Sequence, residues 1–87
     1  MMRLLLTARF ERAYASLSPE DRQQVARALR LMSADLRHPG LRVKRIRGTK
    51  GIWEARASRG LRITFELSGD FLLLRNVGRH DDALRSP

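Results

Sequence analysis

Apolar and polar side chains alternate with a period of two over residues 52–57 and again over 61–67, the spacing of a half-buried strand. Ser58-Arg59-Gly60 between them is hairpin-loop chemistry. With a three-residue loop Ala57 faces Leu61, and the pairs Arg56:Arg62, Ala55:Ile63, Glu54:Thr64 and Trp53:Phe65 follow. Side chains alternate across a strand, so Trp53, Ala55, Ala57, Leu61, Ile63 and Phe65 share one face, and Glu54, Arg56, Arg62 and Thr64 share the other. The turn Ser68-Gly69-Asp70 leads into a third strand over 71–77. It is apolar at Phe71, Leu72, Leu73, Leu74 and Val77, as expected of a strand covered on both faces. Its far end comes to lie beside Arg62, and Gly78, Arg79 and His80 follow at the start of a short polar tail.

Upstream the period changes to that of a helix. After a Leu-rich first strand over 2–6, Thr7 is a candidate N-cap for a helix over 8–17, with Phe10, Ala13, Tyr14 and Leu17 on one stripe. Ser18-Pro19-Glu20-Asp21 is a strong helix start, with Ser18 as cap, Pro19 at the first helical position and acids in the first turn. This second helix stacks Val25, Ala28, Leu29, Met32 and Leu36 and turns Arg22, Gln23, Arg27 and Arg30 outward. His38-Pro39-Gly40 is its stop signal, with His38 read as an exposed loop residue. Residues 41–48 (LRVKRIRG) predict a strand whose alternation slips at Lys44-Arg45, and Gly48-Thr49-Lys50-Gly51 a turn. The order β-α-α-β-β-β predicts an α+β domain over residues 1–87: an antiparallel sheet with both helices packed on one face and the opposite face open.

Charge changes this picture. The chain is 87 residues long, enough for one modest core, and carries a net charge of +9. Between Arg37 and Phe65 the basic residues are Arg37, Arg42, Lys44, Arg45, Arg47, Lys50, Arg56, Arg59 and Arg62, against the single acid Glu54. Such a block is the footprint of a surface that binds a polyanion, most often nucleic acid. The chain has no cysteine, and its two histidines are far apart with no acidic cluster, so neither a metal site nor a cofactor is expected. The three-leucine run near the N-terminus is too short for a signal-peptide core or a membrane span, and no basic helix carries bulky apolar anchors. A cytoplasmic protein without membrane contact is expected.

No nucleophile triad, phosphate-cradling glycine loop or glycosidase carboxylate pair is present. One histidine, one glutamate and several arginines near each other do suffice for cleaving RNA, because the substrate's 2′-hydroxyl is its own nucleophile. The protein needs cations for the charge on phosphorus, an acid for the leaving 5′-oxygen and a base. Histidine protonates a leaving group near neutral pH, and arginine's fork engages two phosphate oxygens.

The order of elements, the helix start LSPEDRQQV, the segments GIWEAR and LRITF, and the ending NVGRHDDAL together resemble the RelE/ParE superfamily of type II toxins, in particular its mRNA interferase branch. The resemblance implies a ribosome-dependent mRNA endoribonuclease that arrests translation and is neutralised by a small acidic antitoxin. Arg62 falls where ribosome-dependent members keep an arginine on the scissile phosphate, and His80 where several keep a catalytic histidine. Arg56 supports Arg62, and Glu54 is the candidate base. Arg42, Lys44, Arg45, Arg47 and Lys50 resemble the family's basic strand for mRNA and ribosomal RNA. Where many relatives have Tyr or Phe after the histidine, this chain has Asp81, Asp82, Ala83 and Leu84. The alternatives are a ParE-like toxin that inhibits a topoisomerase without catalysis, or a degenerate member that binds RNA or antitoxin. Alone, the chain is expected to be a monomer or weak dimer. Arg62 and His80 lie outside the apolar stripes, so the fold is expected to survive their removal.

Overall fold

Thr7 Oγ1 accepts a hydrogen bond from Phe10 N at 3.0 Å, and Ser18 Oγ accepts one from Asp21 N at 3.1 Å. Each satisfies one of the N–H groups that a helix start leaves unpaired. In the computed structural model, which describes all residues from Met1 to Pro87, these caps open helix α1 (Ala8–Ala15) and helix α2 (Pro19–Ala34). Both helices end two residues before their predicted stripes do. Leu17 and Leu36 still pack against the core, but from the connecting segments.

His38-Pro39-Gly40 does more than stop a helix. It opens a 3₁₀ turn (Pro39–Leu41) that drops Leu41 into the core, and Arg42 follows in a left-handed conformation with φ 46°. The strand predicted over 41–48 therefore shrinks to β2 (Lys44–Arg45), two residues paired with Trp53 and Glu54. A helical turn at Leu41 and a left-handed residue at 42 cannot both lie in a ladder.

The meander that follows is β3 (Ile52–Ser58), β4 (Leu61–Ser68) and β5 (Phe71–Arg79). The pairs Trp53:Phe65, Glu54:Thr64, Ala55:Ile63 and Arg56:Arg62 form as expected, but Ser58, not Ala57, faces Leu61. The loop is thus two residues, Arg59-Gly60, and Ala57 is the extra residue of a bulge. A second irregularity leaves Arg75 unpaired on β5, between Leu74 and Asn76. It keeps Leu72, Leu74 and Val77 on one face in spite of their uneven spacing, and all three are buried. Together with Ala55, Leu61, Ile63 and Phe65 they meet Phe10, Val25, Ala28 and Met32 from the helices.

Strand β1 (Arg3–Leu6) adds to the outer edge of β5, giving the order β1-β5-β4-β3-β2. It runs parallel to β5, so the sheet is mostly, not wholly, antiparallel. Parallel neighbours need a crossover, and the helices that leave β1 and fold over the sheet supply it.

The other sheet face is not left open. Residues 80–85, expected as a tail, form a short helix α3 (His80–Arg85) that packs on β4 and β5 and buries Ala83. Beyond it, Thr64 Oγ1 and Arg75 Nε donate to the Pro87 carbonyl at 3.0 and 3.1 Å, and Asn76 Nδ2 donates to the Ser86 carbonyl at 3.0 Å. Arg9 also reaches that Ser86 carbonyl.

Candidate active site and cationic face

Arg62 lies on β4 opposite Arg56 on one side and Gly78 on the other. Its Nη1 donates to the carbonyls of Ser58, Leu61 and Arg59 at 3.0, 3.0 and 3.3 Å, so the guanidinium is folded onto the β3–β4 turn. Its Nε lies 3.6 Å from Glu54 Oε1. The two side chains are only 15% and 7% exposed, which makes this a largely buried ion pair. Arg62 Nη2 makes no hydrogen bond within the chain. No fully buried side-chain nitrogen or oxygen lacks a partner, so this amino group is not sealed in the interior and can be offered to a phosphate oxygen.

Glu54 is therefore the partner of Arg62 before it is anything else. Lys44 flanks it on β2 and the buried Thr64 flanks it on β4, where the C-terminal segment covers the sheet.

His80 meets the same turn from the other side. Gly78 and Arg79 end β5 beside Arg62 and Leu61, and the next residue opens α3. His80 N–H donates to the Gly60 carbonyl at 2.8 Å, which ties the helix start to the hairpin loop. The imidazole is half exposed, and its Nδ1 lies 3.1 Å from Asp81 Oδ1. A protonated ring with Nδ1–H on Asp81 keeps Nε2–H free to donate outward. Arg79 braces the arrangement, its Nη2 lying 3.2 Å from Asp21 Oδ2 in the first turn of α2. Gly60 makes room for it: a Cβ there would come within 2.7 Å of Arg79 Nη1.

Arg56 completes the cluster. Its guanidinium is pushed below the ordinary arginine range, first by the charge of Arg42, then by desolvation, and then by Arg62 and Arg59. Arginine stays protonated all the same, so the direction of the shift reports crowded like charges.

No protein-family model matches the sequence, and no curated protein matches it. Solved structures do match. A chain of the intact E. coli RelBE toxin–antitoxin complex superposes with a TM-score of 0.71 at 17% identity, over 91% of this chain and 96% of that one. YafQ from E. coli strain BL21(DE3) gives 0.78 at 10% identity, over 94% and 97%. A chain of the RelB–RelE antitoxin–toxin complex of Methanococcus jannaschii gives 0.70 at 19% identity, over 90% and 92%. The fold is that of the RelE/ParE toxins.

Within this RelE-type fold, Arg62, Glu54, Arg56 and His80 gather around the β3–β4 turn, with Arg42 beside Arg56. Lys44 and Arg45 form the exposed edge strand β2, while Arg47 and Lys50 are exposed in the turn that links it to β3. That turn is set by Gly48 and Gly51, both at positive φ, and by Thr49 Oγ1 donating to the Ile46 carbonyl at 2.7 Å. The Asp21–Arg79 brace and Thr64's bonds to the tail were not expected. The only sequence signal for the first was an acid in a helix first turn, which capping already explained. No helix gathers a long apolar span able to cross a membrane, and no group of three or more His, Cys, Asp or Glu side chains is placed to hold a metal ion.

Proposed function

We propose that this chain is a type II toxin of the RelE/ParE superfamily that cleaves mRNA on the ribosome. The observation that supports this best is the β3–β4 turn, which Arg62 grips from within the hairpin and His80 touches from the start of α3, with Arg42, Arg56 and Arg59 nearby and in no ion pair. Arg62 Nη2 and Arg56 hold the scissile phosphate. The 2′-hydroxyl attacks phosphorus and releases its proton to solvent. His80 Nε2–H protonates the departing 5′-oxygen as the P–O5′ bond breaks, leaving a 2′,3′-cyclic phosphate and a 5′-hydroxyl. Glu54, the sequence's candidate base, is shielded from solvent beside Arg62, and its role in this mechanism is to orient that guanidinium. Arg42, Lys44, Arg45, Arg47 and Lys50 carry mRNA and ribosomal RNA. The partner is a small acidic antitoxin; the matched E. coli and M. jannaschii chains come from toxin–antitoxin complexes.

The hold of three carbonyls on Arg62 favours a second reading, a non-catalytic toxin of the ParE kind directed at a topoisomerase. One experiment separates the two. Translating ribosomes with a defined mRNA are incubated with the protein, and new RNA ends are mapped and typed. The interferase reading requires cuts bearing cyclic phosphate and 5′-hydroxyl ends. Growth arrest without cuts, accompanied by blocked DNA supercoiling, supports the second.

A further inference from the structure

Behind the β3–β4 turn, on the side of α2, lies a pocket of about 250 Å³. This is below the roughly 300–1,000 Å³ of sites for whole small molecules, so it suits a single group of a larger ligand. Arg27 of α2, His38 of the 3₁₀ turn, and Arg56 and Arg59 of the hairpin line it, and no carboxylate does. The apolar residues in its lining, chiefly Ala28, Leu41 and Ala57, are buried and form its floor.

The imidazole is held in a defined state. His38 Nδ1 accepts from Gly40 N–H at 3.1 Å, so in the neutral ring the proton sits on Nε2, a donor. Gly40 packs close enough that a Cβ would lie 3.2 Å from His38 Nδ1 and Cε1. A more open trench continues from the pocket along α2, sharing Arg27, Ala57 and Ser58 and adding Gln23 and Gln24. The whole surface thus offers guanidinium, imidazole and amide donors.

We propose that this pocket is a phosphate subsite, which holds an RNA backbone phosphate beside the bond under attack and leads the strand out along α2. The assignment rests on the endonuclease reading for the identity of the strand. The phosphate itself does not depend on that reading: forked donors match phosphate oxygens, and a trapped anion relieves the repulsion that Arg42, Arg59 and Arg62 exert on Arg56.

The test uses the full chain and two probes. Inorganic phosphate is titrated while the Gly40 amide and the Arg27 and Arg59 Nε–H signals are followed by NMR. Saturable shifts at these groups are expected, lost in Arg27→Gln/His38→Gln and kept in Arg30→Gln, which alters the same helix outside the pocket. Binding of a short single-stranded RNA is then measured against salt. Arg27→Gln is expected to lower the slope of log K against log salt by about 0.7, the value for one phosphate contact on a single strand. Shifts confined to the Arg62–His80 side, or an unchanged slope, overturn the proposal. So does an acidic peptide that occupies the pocket when RNA does not, since that identifies a protein partner. A chain that shows the shifts and the slope change yet cuts no mRNA keeps the subsite and loses the endonuclease reading.

Discussion

At the scale of residues, burial decides which substitutions are informative. Arg62 lies outside the apolar stripes, yet its side chain is mostly buried against Glu54 and three carbonyls. Arg62→Ala leaves a buried carboxylate without its partner, a loss on the order of 3 kcal/mol. For a domain of this size that lowers Tm by roughly 10 °C or more. The double variant Arg62→Met/Glu54→Gln is expected to recover much of the loss, because it removes both charges. Equal melting of the single and double variants would mean that the pair has no energetic weight. Loss of activity in Arg62→Ala alone therefore cannot be read as chemistry. Arg42 makes the opposite case. A left-handed backbone costs a non-glycine residue about 1–2 kcal/mol, while glycine brings back part of this as extra freedom in the unfolded chain. Arg42→Gly is expected to raise Tm slightly and to weaken RNA binding, since it relieves strain and removes the charge nearest Arg56 in effect. Lower Tm in this variant would remove the case for strain at residue 42.

At the scale of elements, the C-terminal helix is the part of the site that composition hid. Ala83 is buried beneath it, and the backbone beyond it bonds Thr64, Arg75 and Asn76. Ala83→Arg is expected to lift α3 at a cost of about 1–3 kcal/mol, as overpacking does. Hydrogen exchange should then speed up at residues 80–85 and at Thr64, with β1 to β3 unaffected. Uniform loss of protection would show that α3 is integral to the fold. These elements also mark what could be read beforehand. The caps at Thr7 and Ser18, the hairpin pairs from Trp53:Phe65 to Arg56:Arg62 and the arrival of residues 78–80 at that end of the sheet follow from periodicity and turn chemistry, which are local. The 3₁₀ turn at Pro39, the shortened β2 and α3 do not, because each is fixed by a distant partner. Leu41 turns inward to fill space under β3, and Ala83 has a place only once β4 and β5 have formed a floor. Glu54 read as a possible base because the strand pattern puts it on the polar face; its burial beside Arg62 is a tertiary outcome that no pattern announced.

At the scale of the whole molecule, a net charge of +9 on 87 residues makes any acidic partner a fast and salt-sensitive one. Association with the proposed acidic antitoxin is expected to slow by about tenfold or more between low and high salt, with smaller change in dissociation. An association rate indifferent to salt would disconnect the basic surface from partner capture. The fold of RelE and YafQ supplies the frame, and the account turns on whether His80 at its edge donates a proton. The most direct measurement is single-turnover cleavage of mRNA on translating ribosomes by the wild-type chain and by His80→Gln. Glutamine retains a hydrogen-bond donor but does not titrate, and His80 is half exposed, so both proteins should melt alike and bind antitoxin alike. If His80 is the proton donor, cleavage falls by about 10²–10⁴ in His80→Gln, the usual contribution of a general acid. Cleavage by His80→Gln at the wild-type rate, or no cleavage by the wild-type chain at all, would contradict it.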